Sequence, residues 1–426
     1  MRSTLLRTLF GALLAAGIVA AQATADSLAG GGHGNGLPPP TPVGPKASLS
    51  PFVTSLRTPA DDSVAPDVAA PSVVLADLDS GQLLLSKNVN QSRPIASVTK
   101  IMTALLVLGR TSPADVVRVS ARAAAPEGTS GLSELGLEPG ERISVGELTW
   151  ALLLESANDA AQALAETVAG TTERFVALMN ATARRLGMTH TRFRSPSGLD
   201  DRGRSSAADL VTLTRAAFAE SSRFSHIVGT RFHLVPSPEG RARHIQNRNV
   251  LLWLYRGATG VKTGYTSDAG YCIVATASRG GRRLIAVVLG DRTEPFSDAA
   301  ALLDYGFAAF STERVVESGE SLGAVQVVGG SVEAQTASAL TALVPASSGA
   351  TLRRVIDVDP AAAYPPAMGE RIGALKVWIP GHLLGSVPVV VSGVPAPPPL
   401  EDEAWWIRAA GVVTGSVCSA LHAMFG

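Results

Sequence analysis

Two β-hairpin patterns far apart in the chain constrain its fold most strongly. In the first, the β-prone runs Ser72–Leu78 and Gln82–Ser86 flank an Asp-Ser-Gly break, and in the second, Gly270–Ala277 and Arg283–Leu289 flank Arg-Gly-Gly. Short glycine-containing breaks between β-prone runs are typical of hairpins. Because the long segment between them shows helical spacing of apolar residues, we predict an α+β fold. Its two chain ends form one antiparallel sheet with flanking helices, and the segment between them forms a helical subdomain.

Four stretches carry the helical pattern most clearly. Val145–Ala169 is followed by Thr172–Leu186, and Gly187 after it matches a helix C-cap. Further helices are predicted near Ala207–Ala219 and over Ser297–Phe310. The last of these follows the second hairpin directly, so we expect it to be the final element of the domain that contains the sheet.

The chain of 426 residues is longer than one domain usually requires. Residues 1–25 combine early arginines, an apolar core and Ala-Thr-Ala before Asp26, which predicts a secretory signal peptide; an uncleaved anchor is the alternative. Residues 26–65 are rich in glycine and proline and predict a flexible linker. We predict a catalytic domain at residues 66–311 and a small all-β domain at residues 312–394.

The predicted small all-β domain shows short alternating runs broken by glycine, proline and serine. His382 follows Pro-Gly there, and we interpret it as a turn residue rather than a ligand or a base. No convergent polar set surrounds it in the sequence, so this domain is assigned no chemistry. Its predicted strands are Leu322–Val328, Leu352–Val358, Ile372–Ile379 and Ser386–Val391.

Residues 395–426 begin as a proline-rich spacer and end in an apolar segment. That segment, residues 404–426, starts with Trp405 and Trp406 and predicts a membrane anchor that spans the bilayer or lies in its interface. A terminal helix packed on the body is the alternative. Together with the signal peptide, the pattern predicts a protein exported across the cytoplasmic membrane and attached to that membrane at its C-terminus.

Composition excludes several classes of function. Lys+Arg and Asp+Glu both total 36, so the formal net charge is zero and no nucleic-acid partner is indicated. The two cysteines, Cys272 and Cys418, give neither a disulfide framework nor metal-ligand spacing. We interpret both as small buried apolar residues and predict no metal and no organic cofactor.

Three polar islands interrupt apolar surroundings. Ser97 and Lys100 lie three residues apart where the apolar run to Leu108 begins a predicted helix, so hydroxyl and amine share its first turn. The second island is Ser156-Ala157-Asn158, and the third is Lys262-Thr263-Gly264 on a predicted strand. Taken singly, the second could be a helix kink or a turn between two helices, and the third a surface strand edge.

In this order and in these contexts, the three islands resemble the signature of penicillin-binding proteins and serine β-lactamases. Further matches resemble the D-alanyl-D-alanine carboxypeptidases, the low-molecular-mass penicillin-binding proteins, over roughly residues 71–310. These matches are Leu137-x-Pro139-Gly140-Glu141, Asp159-Ala160, Met179-Asn180, Leu186-Gly187-Met188, Ser197-Gly198-Leu199, Asn247-Arg248-Asn249 and Tyr265-Thr266. The resemblance implies a β-lactamase/transpeptidase-like fold, a peptidoglycan stem peptide ending in D-Ala-D-Ala as substrate, and β-lactams as covalent inhibitors. The small all-β domain resembles the family's second domain more loosely.

Acyl transfer gives three of these residues catalytic roles. Ser97 is the nucleophile, Lys100 is its neutral base, and Ser156 relays the proton to the leaving D-alanine nitrogen. A neutral Lys100 requires a pKa lowered from about 10.4 to about 7 or 8, by burial and by a second cation. Lys262 is the candidate for that cation.

The remaining candidate residues hold the substrate. Asn158 suits the substrate amide, whereas Lys262, Thr263 and Arg248 suit its terminal carboxylate. The backbone N–H groups of Ser97 and Tyr265 would form the oxyanion hole. The predicted substrate-binding set is Asn158, Lys262, Thr263, Gly264, Tyr265 and Arg248.

The sequence departs from the family pattern in two places. Ser195-Pro196 stands where members often have Asn-Pro, and no arginine occurs in the helix near Ser297. If that arginine holds the substrate carboxylate in relatives, either Arg248 or Arg292 must take its place here.

Other functions share the same motifs. A class A β-lactamase deacylates with a glutamate on a loop after the second motif. The first glutamates after Asn158 here are Glu166 and Glu173, both in predicted helices, which argues against that class. A D,D-endopeptidase would use the same residues, so it stays open. A catalytically silent cell-wall scaffold would be expected to have lost at least one motif.

Overall fold

The computed structural model describes residues 56, 63–125, 133–237, 240, 242–346, 352–379 and 382–393. The predicted signal peptide, most of the predicted linker, Cys418 and the predicted C-terminal spacer and anchor lie outside the described residues. The described residues divide into two compact units. The first takes residues up to 311 together with 343–346, and the second takes residues 312–342 with the described residues from 352 onward.

The larger unit is built from a central sheet, small two-stranded sheets and a group of helices. Its strands are Ser72–Asp77 (β1), Leu83–Lys87 (β2), Arg93–Pro94 (β3), Val116–Arg118 (β4), Arg142–Ser144 (β5), Arg204–Ser205 (β6), Phe232–Pro236 (β7), Ala242–Gln246 (β8), Ala258–Thr266 (β9), Gly270–Arg279 (β10) and Arg282–Asp291 (β11). Its helices are Lys100–Leu108 (α1), Ala121–Ala124 (α2), Val145–Leu153 (α3), Asn158–Ala169 (α4), Thr172–Arg185 (α5), Ala207–Glu220 (α6), Ser222–Gly229 (α7), Leu251–Leu254 (α8) and Pro295–Ala309 (α9).

Both hairpins enter one antiparallel sheet, in the order β2-β1-β11-β10-β9. Ser72 of β1 lies opposite Leu289 of β11, so the first hairpin pairs with the second across a long sequence separation. Alternate side chains on a strand point to opposite faces. Val74 and Val287 accordingly pack on the face covered by helices α1 to α7, whereas Val73 and Val288 pack on the opposite face with α8 and α9. The predicted α+β fold with one sheet assembled from both chain ends is confirmed.

Several predicted elements differ in detail from those observed. The helix expected from Ser97 begins as a 3-10 turn, Ala96–Thr99, before α1 continues it. The helical pattern over Val145–Ala169 is not one continuous helix: residues 154–157 form the turn between two helices that the sequence left open, because Ser156 has a φ of +65° that no α-helix admits. Gly187, with a φ of +74°, follows α5 at the predicted C-cap.

The smaller unit contains a five-stranded antiparallel sheet in the order β13-β14-β18-β17-β16. The four predicted runs correspond to four of these strands, but β14 escaped prediction because it alternates small or polar exposed residues with only modestly apolar buried ones. His382, interpreted as a turn residue, is the first residue of β18. The strands after α9 are Phe310–Val316 (β12), Ser321–Val327 (β13), Gly330–Thr336 (β14), Leu340–Pro345 (β15), Arg353–Val358 (β16), Arg371–Ile379 (β17) and His382–Gly393 (β18).

No helix within the described residues is long and apolar enough to cross a bilayer.

A buried ion pair anchors the segment between α2 and β5 to strand β8. Arg243 donates from Nη1 and Nη2 to the two carboxylate oxygens of Glu141 at 2.7 and 2.9 Å, and Nη2 also donates to Gly136 O at 3.0 Å. Both side chains are almost fully buried. A bidentate pair of this kind is strongly directional, so it fixes the segment that leads to one edge of the cleft described below.

We predict that Glu141→Ala destabilises the protein by about 3–5 kcal/mol, because the buried guanidinium of Arg243 loses its counter-charge. The double variant Glu141→Leu/Arg243→Met removes both charges and should recover most of that loss. Urea denaturation followed by tryptophan fluorescence measures both. An equal loss in the single and double variants would contradict the assignment of the penalty to an unpaired buried charge.

Candidate active site

Ser97 and Lys100 meet as their spacing predicts. Ser97 lies in the 3-10 turn and Lys100 is the first residue of α1, and their Oγ and Nζ atoms are 2.9 Å apart. Lys100 is fully buried, at the point where an otherwise apolar helix begins. The pair therefore has the geometry of a nucleophile and its base.

Lys100 Nζ has two partners besides Ser97. Nζ donates to Asn158 Oδ1 at 2.8 Å and to Ser197 O at 2.9 Å. Both of these oxygens can only accept hydrogen bonds. A neutral amine donates its two hydrogens to them and presents its lone pair to the hydroxyl of Ser97. These contacts satisfy a neutral Lys100, and they would equally satisfy an ammonium that donates to all three oxygens, so electrostatics decide its protonation state.

Electrostatics favour the neutral form of Lys100. Burial lowers the pKa of Lys100 well below its usual value, and the positive charge of Lys262 lowers it further, whereas the carboxylate of Asp159 opposes the shift. Removing an ammonium from water is costly, so the neutral form is favoured wherever no carboxylate pairs with it directly. The predicted influence of Lys262 on Lys100 is thereby supported by the structure.

Strand β9 brings the third motif against the nucleophile. A Cβ atom on Gly264 would lie 2.7 Å from Ser97 N and 3.0 Å from Val98 N, so only glycine allows this close approach. Thr263, Gly264 and Tyr265 line the cleft beside Ser97.

Lys262 lies behind the cleft wall. It is buried, its Nζ donates to Thr263 O at 2.8 Å, and it is not among the residues that line the cleft. Burial and the neighbouring Arg248 lower its pKa to about 7, and Glu155 opposes that shift. The structure thus brings Lys262 into the charge network but not to the cleft surface.

The second motif forms the turn between α3 and α4. Ser156 adopts the left-handed conformation, and its buried Oγ lines the cleft without a hydrogen-bond partner in the described part of the chain. Asn158 begins α4, and its backbone N–H donates to Ser133 O at 2.9 Å. A strained residue with an unpaired hydroxyl is the kind of feature that active sites retain.

Glu155 is a member of the site that the sequence interpretation missed. It is buried, accepts an ion-pair hydrogen bond from Arg248 Nη2, and lies 3.5 Å from the backbone nitrogen of Gln246. Burial raises the pKa of Glu155, while the charge of Arg248 lowers it. The available signal was a glutamate directly after three leucines, Leu152 to Leu154, in a buried helical pattern.

Arg248 is held by Glu155 and lines the cleft, and its buried Nε has no hydrogen-bond partner within the described structure. Arg292 is exposed, donates to Ser267 O at 3.2–3.3 Å and does not line the cleft. Of the two arginines that the sequence left open, the structure brings Arg248 to the site.

Asp159 is the second missed residue. Its buried carboxylate accepts backbone hydrogen bonds from Leu135, Gly136, Leu137 and Ala160 at 2.8–3.1 Å. It thereby fixes the segment that follows Ser133 at the cleft edge. Backbone N–H donors carry no side-chain signature, so only its place beside the Ser-x-Asn motif could have indicated it.

The cleft has an empty volume of ≈ 550 Å³, open solvent at its mouth included. The rings of Tyr265 and Tyr271 lie 4.6 Å apart along it. Cys272 is buried in its wall, as predicted, and burial raises the pKa of its thiol to about 12, which leaves it unreactive. The residues that line the cleft are Ser97, Ser133, Ser156, Asn158, Leu199, Arg248, Thr263, Gly264, Tyr265, Tyr271, Cys272, Ile273 and Phe296.

The two glutamates considered for β-lactamase deacylation, Glu166 and Glu173, lie away from the cleft. Glu166 lies in α4 and accepts hydrogen bonds from Gln162 and Ser120, and Glu173 lies exposed in α5. Neither lines the cleft.

Within the described residues, no group of three His, Cys, Asp or Glu side chains could hold a metal ion.

Comparison with known proteins gives a consistent result. Residues 59–293 match the sequence family described as D-alanyl-D-alanine carboxypeptidase. The chain is 33% identical to the D-alanyl-D-alanine carboxypeptidase DacF of Bacillus subtilis, over 75% of this chain and 84% of that protein. It is 40% identical to DacB2 of Mycobacterium tuberculosis, over 59% of this chain and 86% of that protein.

A solved structure supports the same assignment. Penicillin binding protein 5 of Haemophilus influenzae superimposes with a TM-score of 0.65 at 29% identity, over 77% of this chain and 98% of that one. The predicted family resemblance and its β-lactamase/transpeptidase-like fold are therefore confirmed. The chain belongs to the D-alanyl-D-alanine carboxypeptidase family, whose members are serine-type hydrolases among the penicillin-binding proteins.

Proposed function

We propose that this serine-type D-Ala-D-Ala carboxypeptidase removes the terminal D-alanine of peptidoglycan stem peptides through an acyl-enzyme on Ser97, and that β-lactams acylate the same oxygen. One observation carries the proposal: Lys100 Nζ lies 2.9 Å from Ser97 Oγ, while its other two partners can only accept. This arrangement supports Lys100 as the base that receives the serine proton.

In the acylation step, Ser97 Oγ attacks the carbonyl carbon of the penultimate residue while its proton passes to Lys100. The bond to the terminal D-alanine nitrogen then breaks as that nitrogen gains a proton. Ser156 is the relay for this proton, because it lines the cleft and its Oγ has no hydrogen-bond partner among the described residues. Water then cleaves the Ser97 ester and releases the shortened peptide.

The oxyanion of the tetrahedral intermediate is assigned to the backbone N–H groups of Ser97 and Tyr265. The close approach at Gly264 supports this assignment, because it puts β9 directly against Ser97 N. Each such donor contributes roughly 3–4 kcal/mol to transition-state stabilisation in comparable enzymes.

Arg248 and Thr263 are the proposed contacts of the substrate carboxylate, since both line the cleft. Arg248 offers a bidentate fork, and its ion pair with Glu155 holds the guanidinium in place. Lys262 acts from behind the wall as a positive charge that favours the bound carboxylate. Asn158, whose Oδ1 is engaged by Lys100, has its amide NH₂ left for the substrate amide.

We place this enzyme outside the cytoplasm, where its polymeric substrate lies. The sequence patterns of a signal peptide at residues 1–25 and a membrane-attaching segment at residues 404–426 support export and attachment at the C-terminus.

One prediction of the proposed function concerns the nucleophile. Ser97→Ala should abolish both labelling by a fluorescent penicillin and release of D-alanine from a synthetic pentapeptide, while the protein stays folded, because the hydroxyl is not part of the apolar core and Lys100 Nζ keeps its contacts with Asn158 and Ser197. Mass spectrometry of the intact protein and the peptide measures both. Labelling that persists in the variant would contradict the assignment, and rapid turnover of penicillin by the native protein would indicate a β-lactamase.

The pH dependence follows from Lys262, whose pKa is lowered to about 7. Above that pH the free enzyme loses the charge that attracts the substrate carboxylate, so kcat/KM should fall. Bound carboxylate favours the protonated lysine, so the falling limb in kcat should lie at higher pH. Lys262→Ala should raise KM for peptides with a free terminal carboxylate and abolish the falling limb of kcat/KM near pH 7. A falling limb that stays there in this variant would remove Lys262 from this role.

A further prediction tests Glu155 as the residue that positions Arg248. Glu155→Gln should raise KM about tenfold with little change in kcat, because a charge-assisted contact to Arg248 is lost. It should also move the falling limb of kcat/KM to lower pH, since Glu155 opposes the lowered pKa of Lys262. A purely structural role for Glu155 would lower the melting temperature and leave that limb in place.

A further inference from the structure

Arginines concentrate in one short stretch of the chain. Six of them lie between positions 184 and 204, in a protein with 36 basic residues among 426 and no formal net charge. All six are exposed. They are Arg184, Arg185, Arg192, Arg194, Arg202 and Arg204.

Four of the six share one surface. Arg192 and Arg204 lie directly opposite each other in an antiparallel bridge, with both N–O distances 2.8 Å, so their side chains leave the same face. Phe193 is buried between two exposed neighbours, which turns Arg194 to the side of Arg192. Arg184 lines the same surface groove as Arg192. We call these four residues the arginine surface.

The acidic residues nearby do not neutralise the arginine surface. Asp200 pairs with Arg202 at 2.6 Å, Asp201 accepts from Thr266 Oγ1 at 2.6 Å, and the largely buried Asp209 accepts backbone and hydroxyl hydrogen bonds. Across the described ranges of the chain, no carboxylate forms an ion pair with any of the four arginines. The charge of Asp200 also acts on Arg194, but one carboxylate faces several arginines, so the surface carries a net positive potential.

The arginine surface begins at the rim of the catalytic cleft. The loop that carries it also supplies Ser197, whose carbonyl accepts from Lys100, and Leu199, which lines the cleft. Arg204 lies opposite Pro94 in the pairing of β3 with β6. Since an extended residue spans at most about 3.5 Å, three residues from Pro94 put Ser97 within roughly 15 Å of Arg204.

We propose that the arginine surface binds carboxylate groups of the polymeric substrate, at repeats next to the one whose D-alanine is removed. The inference rests on the proposed function, because the occupant is the rest of the same peptide-bearing polymer. Guanidinium groups recognise carboxylates through paired hydrogen bonds. Each exposed contact is weak, but contacts along one tethered chain add to the binding at the cleft. The enzyme thereby prefers polymer over short peptide.

The test compares two matched double variants. Arg192→Gln/Arg204→Gln removes a facing pair from the arginine surface, and Arg118→Gln/Arg142→Gln removes an exposed facing pair from β4 and β5. D-alanine release is measured on purified peptidoglycan and on a short synthetic peptide ending in D-Ala-D-Ala. The first variant should lose roughly threefold to tenfold in kcat/KM on peptidoglycan, less at high salt, and nothing on the short peptide. The second should match the native protein on both.

Binding of the whole protein to soluble poly-L-glutamate gives a readout that does not depend on catalysis. The first variant should bind this probe several-fold more weakly than the native protein and the second variant. Equal losses in both variants, or an equal loss on polymer and short peptide, would overturn the proposal. Binding of polyphosphate but not polyglutamate would overturn the carboxylate assignment. A native protein inactive on the short peptide would overturn the proposed function alone, while polyglutamate binding still decides the arginine surface.

Discussion

The site depends on the desolvation of one amine. Lys100 is fully buried, and its Nζ contacts Ser97 beside it and two groups from distant parts of the chain, Asn158 at the start of α4 and the carbonyl of Ser197 in a loop. Any element that failed to reach Nζ would leave a buried polar group unpaired, which is costly. The Ser97 turn, the helical subdomain and the Ser197 loop are therefore held in register by the same contacts that prepare the base.

Charge balance explains why two buried carboxylates accompany the motifs. Glu155 contacts Arg248 and favours the protonated form of Lys262, whereas Asp159, held by backbone N–H groups, acts on Lys100. Buried charges are tolerated only when compensated in this way. A bound substrate carboxylate adds one negative charge to a balanced site. Protonated Lys262 then becomes the favoured form, so substrate binding itself strengthens the field that keeps Lys100 neutral.

The sequence predicted the features that have a local pattern. Both hairpins, the flanking helices and the three motifs are of this kind, because periodicity and residue spacing reflect local geometry. Glu155 and Asp159 were missed because their roles arise from contacts with Arg248 and with backbone amides, which no spacing reveals. The carbonyl of Ser197 has no side-chain signature at all. The break between α3 and α4 was hidden by the apolar residues that surround Ser156, whose left-handed conformation is a tertiary demand.

Backbone strain is concentrated where the chemistry takes place. Of the three described non-glycine residues with positive φ, Ala96 precedes the nucleophile and Ser156 carries the proposed relay hydroxyl. Each such conformation costs on the order of 1–3 kcal/mol and persists only when the surroundings determine it. The surroundings do so here by close approach: a Cβ atom on Gly198 would lie 1.9 Å from Ala96 O. Gly198 and Gly264 both lie in close contact with the backbone of the Ser97 turn. Backbone packing therefore orients the nucleophile, and its hydroxyl contacts the base Lys100.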